Sequence, residues 1–412
     1  CAGPIELRAP DATQRVGCPW CGSLLDAQKD FKVLQTLKQP GFSPTIPLGT
    51  KGRLRDVEWQ AIGAMERSVT VEGIRYPWRE YLLYDEKQGF RWLVEAKGHW
   101  SFVEPLSAGD IADLYGQPIY GGEKFAHFQS GTARVDHVLG EFYWTVARGD
   151  ETETDDYVAP PRMLSKESTR EEVTWNLGTY TRPQEVWEAF SLEGEPPEAE
   201  GVGPHQPFSG SKPAGLFVKA VIGAVLVLVV FIFLVAIGGK TVHKQSVEIP
   251  ATAVSGTPET VTFAGPFQVP ASGNIQVRLT APVSNSWLYV DGALINEETG
   301  AVDEFDVEVA YYSGYDSDGA WSEGGQAATQ YIGGVPPGRY VMRLAPQWEA
   351  RKAPAAYDVT VRSRVPRFWH AFLAMLLLFV WPFLSLWRWF RFEASRWSES
   401  DHPGVESSSE EE

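Results

Sequence analysis

Two runs of 20 residues without a charged side chain, Ala220–Gly239 and Phe368–Trp387, constrain this chain more than any other feature. As a helix, each is about 30 Å long, the thickness of a bilayer's hydrocarbon core. A buried helix of a soluble protein is rarely so long and so uniformly apolar. Lys219 stands at the edge of the first run, where its stem can reach out to water. His370 is the one titratable group in either, and Pro382 predicts a kink in the second. Trp369, Trp381, Trp387 and Trp389 suit the membrane interface, and Arg388, Arg391 and Arg396 follow. We therefore expect transmembrane helices over 216–239 and 368–387, with the lipid bilayer as a partner. Two crossings put both termini on one side and the loop 240–367 on the other. Basic residues flank the spans on both sides, so their count does not orient the chain.

The cysteines supply an orientation. Cys1, Cys18 and Cys21 are the only three, all within the first 21 residues, unlike the dispersed even set of a disulfide-stapled secreted chain. Cys18-Pro-Trp-Cys21-Gly has the form of a zinc knuckle, two thiolates three residues apart with a glycine after them. Cys1 falls where the second cysteine of a preceding knuckle belongs, given the C-x2-C-x15–20-C-x2-C spacing of zinc ribbons. Residues 1–26 thus read as a zinc-ribbon remnant holding a structural zinc through Cys1, Cys18 and Cys21, its first ligand upstream of Cys1. Thiolate ligands belong in a reducing compartment, which makes both termini cytoplasmic and puts the loop outside. A thioredoxin-type pair is a rival reading, but no βαβ pattern surrounds the motif. A lipid-modified Cys1 is another, and would reverse the topology.

Between these landmarks the chain is mainly β. Short aromatic and β-branched runs separated by turns occupy 49–190: Leu54–Trp59, Arg75–Tyr84, Phe90–Glu95, His99–Glu104, Phe125–Gln129, Arg134–Leu139, Phe142–Arg148 and Val173–Asn176. Pro183–Phe190 reads as a short closing helix. Residues 191–214, rich in Pro, Gly and Glu, read as an extended, mobile linker. The loop at 245–365 repeats the pattern of short strands and turns, favouring a β-sandwich or jelly roll. The tail at 398–412, acidic and Ser-rich, should be disordered. A net charge of −17 argues against a nucleic-acid partner.

The stretch 49–190 resembles the DUF4178 domain, a bacterial domain of unknown function. The resemblance is carried by Gly63, Trp78-Arg79-Glu80-Tyr81-Leu82-Leu83, Gly89-Phe90-Arg91-Trp92-Leu93, Gly98-His99-Trp100 and Gly140-Glu141-Phe142-Tyr143-Trp144. Asp156-Tyr157-Val158-Ala159-Pro160-Pro161, Leu164-Ser165-Lys166-Glu167 and Glu172-Val173-Thr174-Trp175 complete it. It implies a small β-barrel-like domain and places the chain in a bacterial plasma membrane; it implies no reaction. Trp78-Arg79-Glu80-Tyr81 and Gly140–Trp144 each set a Glu beside aromatics, which suggests an internal duplication, with Gly98-His99-Trp100 and Gly178-Thr179-Tyr180 as matching turns.

No nucleophile elbow, phosphate loop or metalloprotease motif is present. Glu80, Glu141 and Trp144 are candidate binding residues, though a Glu beside Trp or Tyr more often accepts a structural hydrogen bond. In the loop domain Asp316, Asp318 and Glu323 are candidate calcium ligands, weighed against a solvated turn. The expectation is a membrane-anchored, non-enzymatic scaffold or sensor, its envelope-facing domain linked to a cytoplasmic domain that binds protein partners. The alternative is an enzyme, or an accessory to one, acting on a small cation such as a polyamine. Homo-oligomerisation stays open; Gly215, Ala220 and Gly223 offer little of a small-residue dimer face.

Overall fold

A computed structural model describes residues 3–36, 42–114 and 116–402. The chain divides into two units, Cys1–Lys212 with Ser385–Glu412, and Pro213–Leu384.

The first unit begins with three short strands, β1 (Arg15–Gly17), β2 (Leu24–Asp26) and β3 (Lys32–Gln35). After β4 (Lys51–Leu54) comes a meander of β5 (Val57–Val71), β6 (Ile74–Asp85), β7 (Gly89–Ala96) and β8 (His99–Leu106). A small sheet follows, β9 (Ala112–Leu114), β10 (Gln117–Tyr120) and β11 (Glu123–Lys124). A second meander is β12 (Ala126–Phe142), β13 (Glu151–Ala159), β14 (Arg162–Ser168) and β15 (Val173–Thr181). The meanders join through β8–β15 and close through β5–β12, which makes an eight-stranded barrel. At the closing seam Gly63 faces Gly140. Gly140 has φ +79°, and a Cβ there would run into the Ile62 carbonyl. Only glycine lets the two backbones come so close.

The strand order revises the expected duplication. What recurs is a four-strand meander, so β6 corresponds to β13 and not to the end of β12 where Glu141 lies. Residues 178–180 are strand rather than a turn. The expected strand Leu54–Trp59 is instead a hairpin. Arg55 and Asp56 both take positive φ between β4 and β5, as a two-residue turn requires. Phe142–Arg148 leaves the sheet after its first residue.

Helix α1 (Pro183–Phe190) forms where expected, with Pro183 as its first residue and Ser191 left-handed at its end. It buries Val186, Trp187 and Phe190 against Trp59, Tyr81, Leu93, Trp100 and Phe102. Trp187 meets Trp100 edge-on at 5.9 Å.

The second unit contains α2 (Pro213–Ile237) and nine strands: β16 (Lys240–Glu248), β17 (Thr262–Val269), β18 (Gly273–Thr280), β19 (Ser286–Asn296), β20 (Val302–Asp316), β21 (Gly319–Gly324), β22 (Ala327–Val335), β23 (Gly338–Trp348) and β24 (Ala356–Ser363). Helix α3 (Phe368–Trp397) follows, its first part belonging to this unit. The strands form sheets β16-β24-β18-β22 and β17-β23-β19-β20-β21. Strand alternation sends Val277, Leu279, Val359 and Val361 from one sheet and Leu288, Val290, Val307 and Met342 from the other into a single core. Helices α2 and α3 run antiparallel. Phe217 meets Phe383 at 5.2 Å and Phe231 meets Phe368 at 5.7 Å. Both are long and apolar enough to cross a membrane, and most of their large apolar side chains are exposed.

Candidate functional site

The cysteine module is a hairpin tip. Gly22 N–H donates to Cys18 O at 2.8 Å and Cys18 N–H to Ser23 O at 2.9 Å, so β1 and β2 turn on the Cys18–Gly22 segment. Cys21 Sγ lies 3.3 Å from Ser23 Oγ, and hydrogen bonds from Ser23 lower the Cys21 thiol below its ordinary value. Cys18 and Cys21 therefore share one turn; Cys1 lies outside the described residues. Two thiolates are half a tetrahedral zinc set. Among the described residues no group of three or more His, Cys, Asp or Glu side chains is placed to hold a metal.

Glu141 holds this module to the barrel. Its carboxylate, 1% exposed, accepts from Arg8 N–H at 2.8 and 2.9 Å, Ala9 N–H at 3.0 Å and Thr13 Oγ1 at 3.0 Å. The Arg8 guanidinium stands 3.7 Å away. This is a clamp: Oε2 gathers Arg8 N–H, Ala9 N–H and Thr13 Oγ1, and Oε1 shares the Arg8 N–H. Trp144 packs against Trp92, Phe142 and Tyr143 at 4.8–5.2 Å.

Glu80 belongs to an ion cluster in the barrel. Arg67 on β5 donates to Glu80 at 3.1 Å and to Glu167 on β14 at 2.7 Å, and Trp78 Nε1 donates to Glu80 at 2.6 Å. Burial raises the Glu80 carboxyl above its usual range, although Arg67 pulls the other way. Burial also opposes the Arg67 charge, but the Glu80 and Glu167 carboxylates outweigh it and raise its pKa. Asp156 lies beside the cluster with Ser165 and Gln129 as donors, and burial raises it too. The carboxylates are thus answered by protein donors rather than left facing a cavity.

A second polar assembly was not foreseen. The end of α3 is fastened into the first unit by Arg396, 1% exposed. Its guanidinium donates to the carbonyls of Gly203 (3.2 Å), Pro204 (2.5 Å) and Gln206 (2.6 Å), and pairs with Glu393 at 3.0 Å. Beside it His205 is buried, with Nε2 3.0 Å from Ser101 Oγ and its ring edge-on to Tyr180. Burial, then the Arg396 and His99 charges, push its pKa down to about 3. His99 is lowered by burial; its Nε2 lies 3.1 Å from Glu200 O and must donate there, so Nδ1 accepts from Tyr180 OH at 3.2 Å. Trp397, the last residue of the helix, packs on Phe128; beyond it Ser400 Oγ donates to Phe128 O, Asp401 accepts from Ser130 N–H at 3.0 Å and Lys97 pairs with Glu399 at 2.9 Å. Residues 201–206 and 398–402 are therefore docked, against the expectation of a mobile linker and a disordered tail. Residues 403–412 lie outside the described residues. The signals available in the sequence were a histidine in a linker and an arginine nine residues past the second apolar run, followed by Trp397.

In the second unit Asp316, Asp318 and Glu323 do not converge. Asp316 and Asp318 form the hairpin tip, where Asp318 N–H donates to Asp316 Oδ1 at 2.9 Å. Glu323 faces Tyr312, four register pairs away, about 13 Å along the strand. The exposed rings here are Tyr315 and Trp321.

Residues 47–183 match the family described as a domain of unknown function (DUF4178). No curated protein matches. Among solved structures the chain is similar to one titled as infectious bursal disease virus Gx strain, at 10% identity and a TM-score of 0.16, covering 85% of this chain and 66% of that one. Another is Trypanosoma rangeli sialidase in complex with sialic acid, at 7% identity and a TM-score of 0.12, covering 86% of this chain and 58% of that one. The chain spans less than two thirds of the length of either.

Proposed function

We propose that this protein is a two-pass membrane scaffold or sensor without catalytic activity, coupling an outer β-sandwich to a cytoplasmic barrel that binds protein partners. The observation that carries the proposal is Arg396: the last turn of a membrane-length helix is tied by buried hydrogen bonds to backbone of the barrel unit. A displacement of α3 then has to move or break contacts with residues 203–206. The same tie supports a topology with both termini on one side, since the segment before α2 and the segment after α3 belong to one unit. The cysteine knuckle supports a cytoplasmic side for them. There Cys18 and Cys21 would hold a structural zinc with Cys1 as a further thiolate. The carboxylates of the barrel cluster are paired with Arg67, which gives a small cation no free site at that place.

Single cysteines at Ser317 and Ser407, in a background lacking the native three, test this reading in intact cells. We expect an impermeant thiol reagent to label Ser317→Cys and not Ser407→Cys. The reverse pattern overturns the topology. Turnover of a small molecule by the purified protein, lost in Glu80→Gln, overturns the non-enzymatic part.

A further inference from the structure

The loop domain is acidic except where it meets the membrane helices. Between residues 245 and 358 there are 14 carboxylates against 5 Lys or Arg. At the two ends this reverses: Lys240, Lys244, Arg362, Arg364 and Arg367 occur with no acid in 238–247 or 359–370.

The fold gathers these five onto one rim. Helix α2 ends at Ile237 and β16 begins at Lys240; β24 ends at Ser363 and α3 begins at Phe368. Strands β16 and β24 are paired, with Lys240 opposite Ser363, Thr241 opposite Arg362 and Lys244 opposite Thr360. The two connectors are stitched together. Gly239 N–H donates to Arg364 O at 2.9 Å, Arg364 N–H to Asn274 O at 2.8 Å and Asn274 Nδ2 to Val365 O at 2.8 Å. Arg362 Nε donates to Gly239 O at 2.7 Å. Arg364 sits at φ +56°, a left-handed backbone that its neighbours hold in place. Lys240, Arg362, Arg364 and Arg367 are therefore held beside the helix ends rather than carried on a loose linker, with Lys244 four residues further along β16.

All five side chains are exposed, and among the described residues none is within ion-pair distance of a carboxylate. Of the five cations elsewhere in this acidic domain, Arg339 pairs with Glu297, Arg343 with Asp291 and Lys352 with Glu349, while Arg278 and Arg351 are, among the described residues, exposed and isolated rather than grouped. A compact group of like charges repels itself and draws counter-ions. At the end of an apolar span the adjacent surface is that of lipid headgroups, and guanidinium matches phosphate geometry in a two-point contact.

We infer that this rim is a collar that binds anionic phospholipid headgroups in the leaflet on the loop's side. The inference rests on the membrane-spanning reading. It assigns the basic residues flanking the loop to lipid binding, which explains why they do not orient the chain by their number.

The test uses the full chain in nanodiscs made from equal parts of phosphatidylcholine and phosphatidylglycerol. The quantity read is the ratio of the two lipids retained on the protein in native mass spectrometry. One Lys or Arg near an anionic surface is worth about a fivefold preference. The native protein should retain the anionic lipid preferentially, and changing all five residues to Gln should reduce that preference by at least about fivefold. Lys240→Gln with Lys244→Gln leaves the stitched backbone untouched and should give a partial loss. Arg388→Gln with Arg391→Gln, exposed at the opposite end of α3, reports the other leaflet's share and should reduce the preference less than the five-residue change does. No preference in the native protein, an undiminished one in the Lys240/Lys244 variant, or a loss produced only by the Arg388/Arg391 pair overturns the collar. A protein that does not enter the disc at all overturns the membrane reading instead.

Discussion

Acid should open the fastening at the end of α3. In the closed arrangement His205 is buried and neutral, with a pKa pushed down to about 3, burial being the largest cause. Released into water, its imidazole returns to about 6.5. Because the closed form has the lower pKa, its advantage is complete above about pH 6.5 and is lost progressively as the pH falls toward about 3. At about pH 5 the open form has bound a proton that the closed form excludes, worth about 2 kcal/mol, or about thirtyfold in the opening equilibrium. The groups facing His205 are Ser101, Tyr180, His99 and Arg396, none of them an acid. His99, lowered by burial, adds a change of the same sign. Hydrogen exchange at residues 396–400 in nanodisc-held protein, corrected for intrinsic rate, reads the opening directly. We expect protection to fall by about thirtyfold or more between about pH 7.5 and about pH 5, and most of that response to vanish in His205→Phe. Protection that does not change over this range, or a response undiminished in His205→Phe, refutes the reasoning.

Four further substitutions check the rest of the barrel unit. Glu141→Ala removes the acceptor for Arg8 N–H, Ala9 N–H and Thr13 Oγ1 and should cost about 3 kcal/mol, seen as early proteolytic release of the N-terminal module. Arg67→Leu strands Glu80 and Glu167 and should lower stability by about 3–5 kcal/mol in urea unfolding. Adding Glu80→Leu should recover part of that loss, because the buried charge goes with its partner. Gly140→Ala, at φ +79° against the Ile62 carbonyl, should cost about 1–3 kcal/mol and lower the thermal midpoint.

The legible parts of the fold were those where one strand face is apolar and a turn is marked by glycine. The runs at 75–84, 90–95 and 99–104 are of this kind, and they became β6, β7 and β8. Strand β13, Glu-Thr-Glu-Thr-Asp-Asp-Tyr-Val-Ala, was not legible. Asp156 hydrogen-bonds within the polar cluster while Glu151 and Glu153 are exposed, so no hydrophobic alternation survives in its first half. Strand β12 reads as three separate runs, and β5 beyond Trp59 goes unmarked, for another reason. Each carries a register shift, between Ala61 and Gly63 and between His127 and Gln129, and a shift of one residue resets the period of two on which a strand is recognised.

The fastening was illegible for a reason of partnership rather than pattern. A Pro- and Gly-rich segment reads as mobile because water satisfies its carbonyls and no apolar pattern ties it to a core. In this chain the donor that satisfies them is Arg396, more than 185 residues away and beyond both apolar runs. Arg396 in turn reads as a flanking charge of a membrane helix, destined for water or headgroups. Each half of the pair has an ordinary meaning alone, and only the return of the chain after α3 gives them a joint one. If the helices span a bilayer, that return needs two crossings: with one apolar run the carbonyls of Gly203 and Gln206 and the guanidinium of Arg396 would lie on opposite sides of it. If both helices span, the fastening therefore requires an even number of passes, and each end of the pair constrains where the other can be.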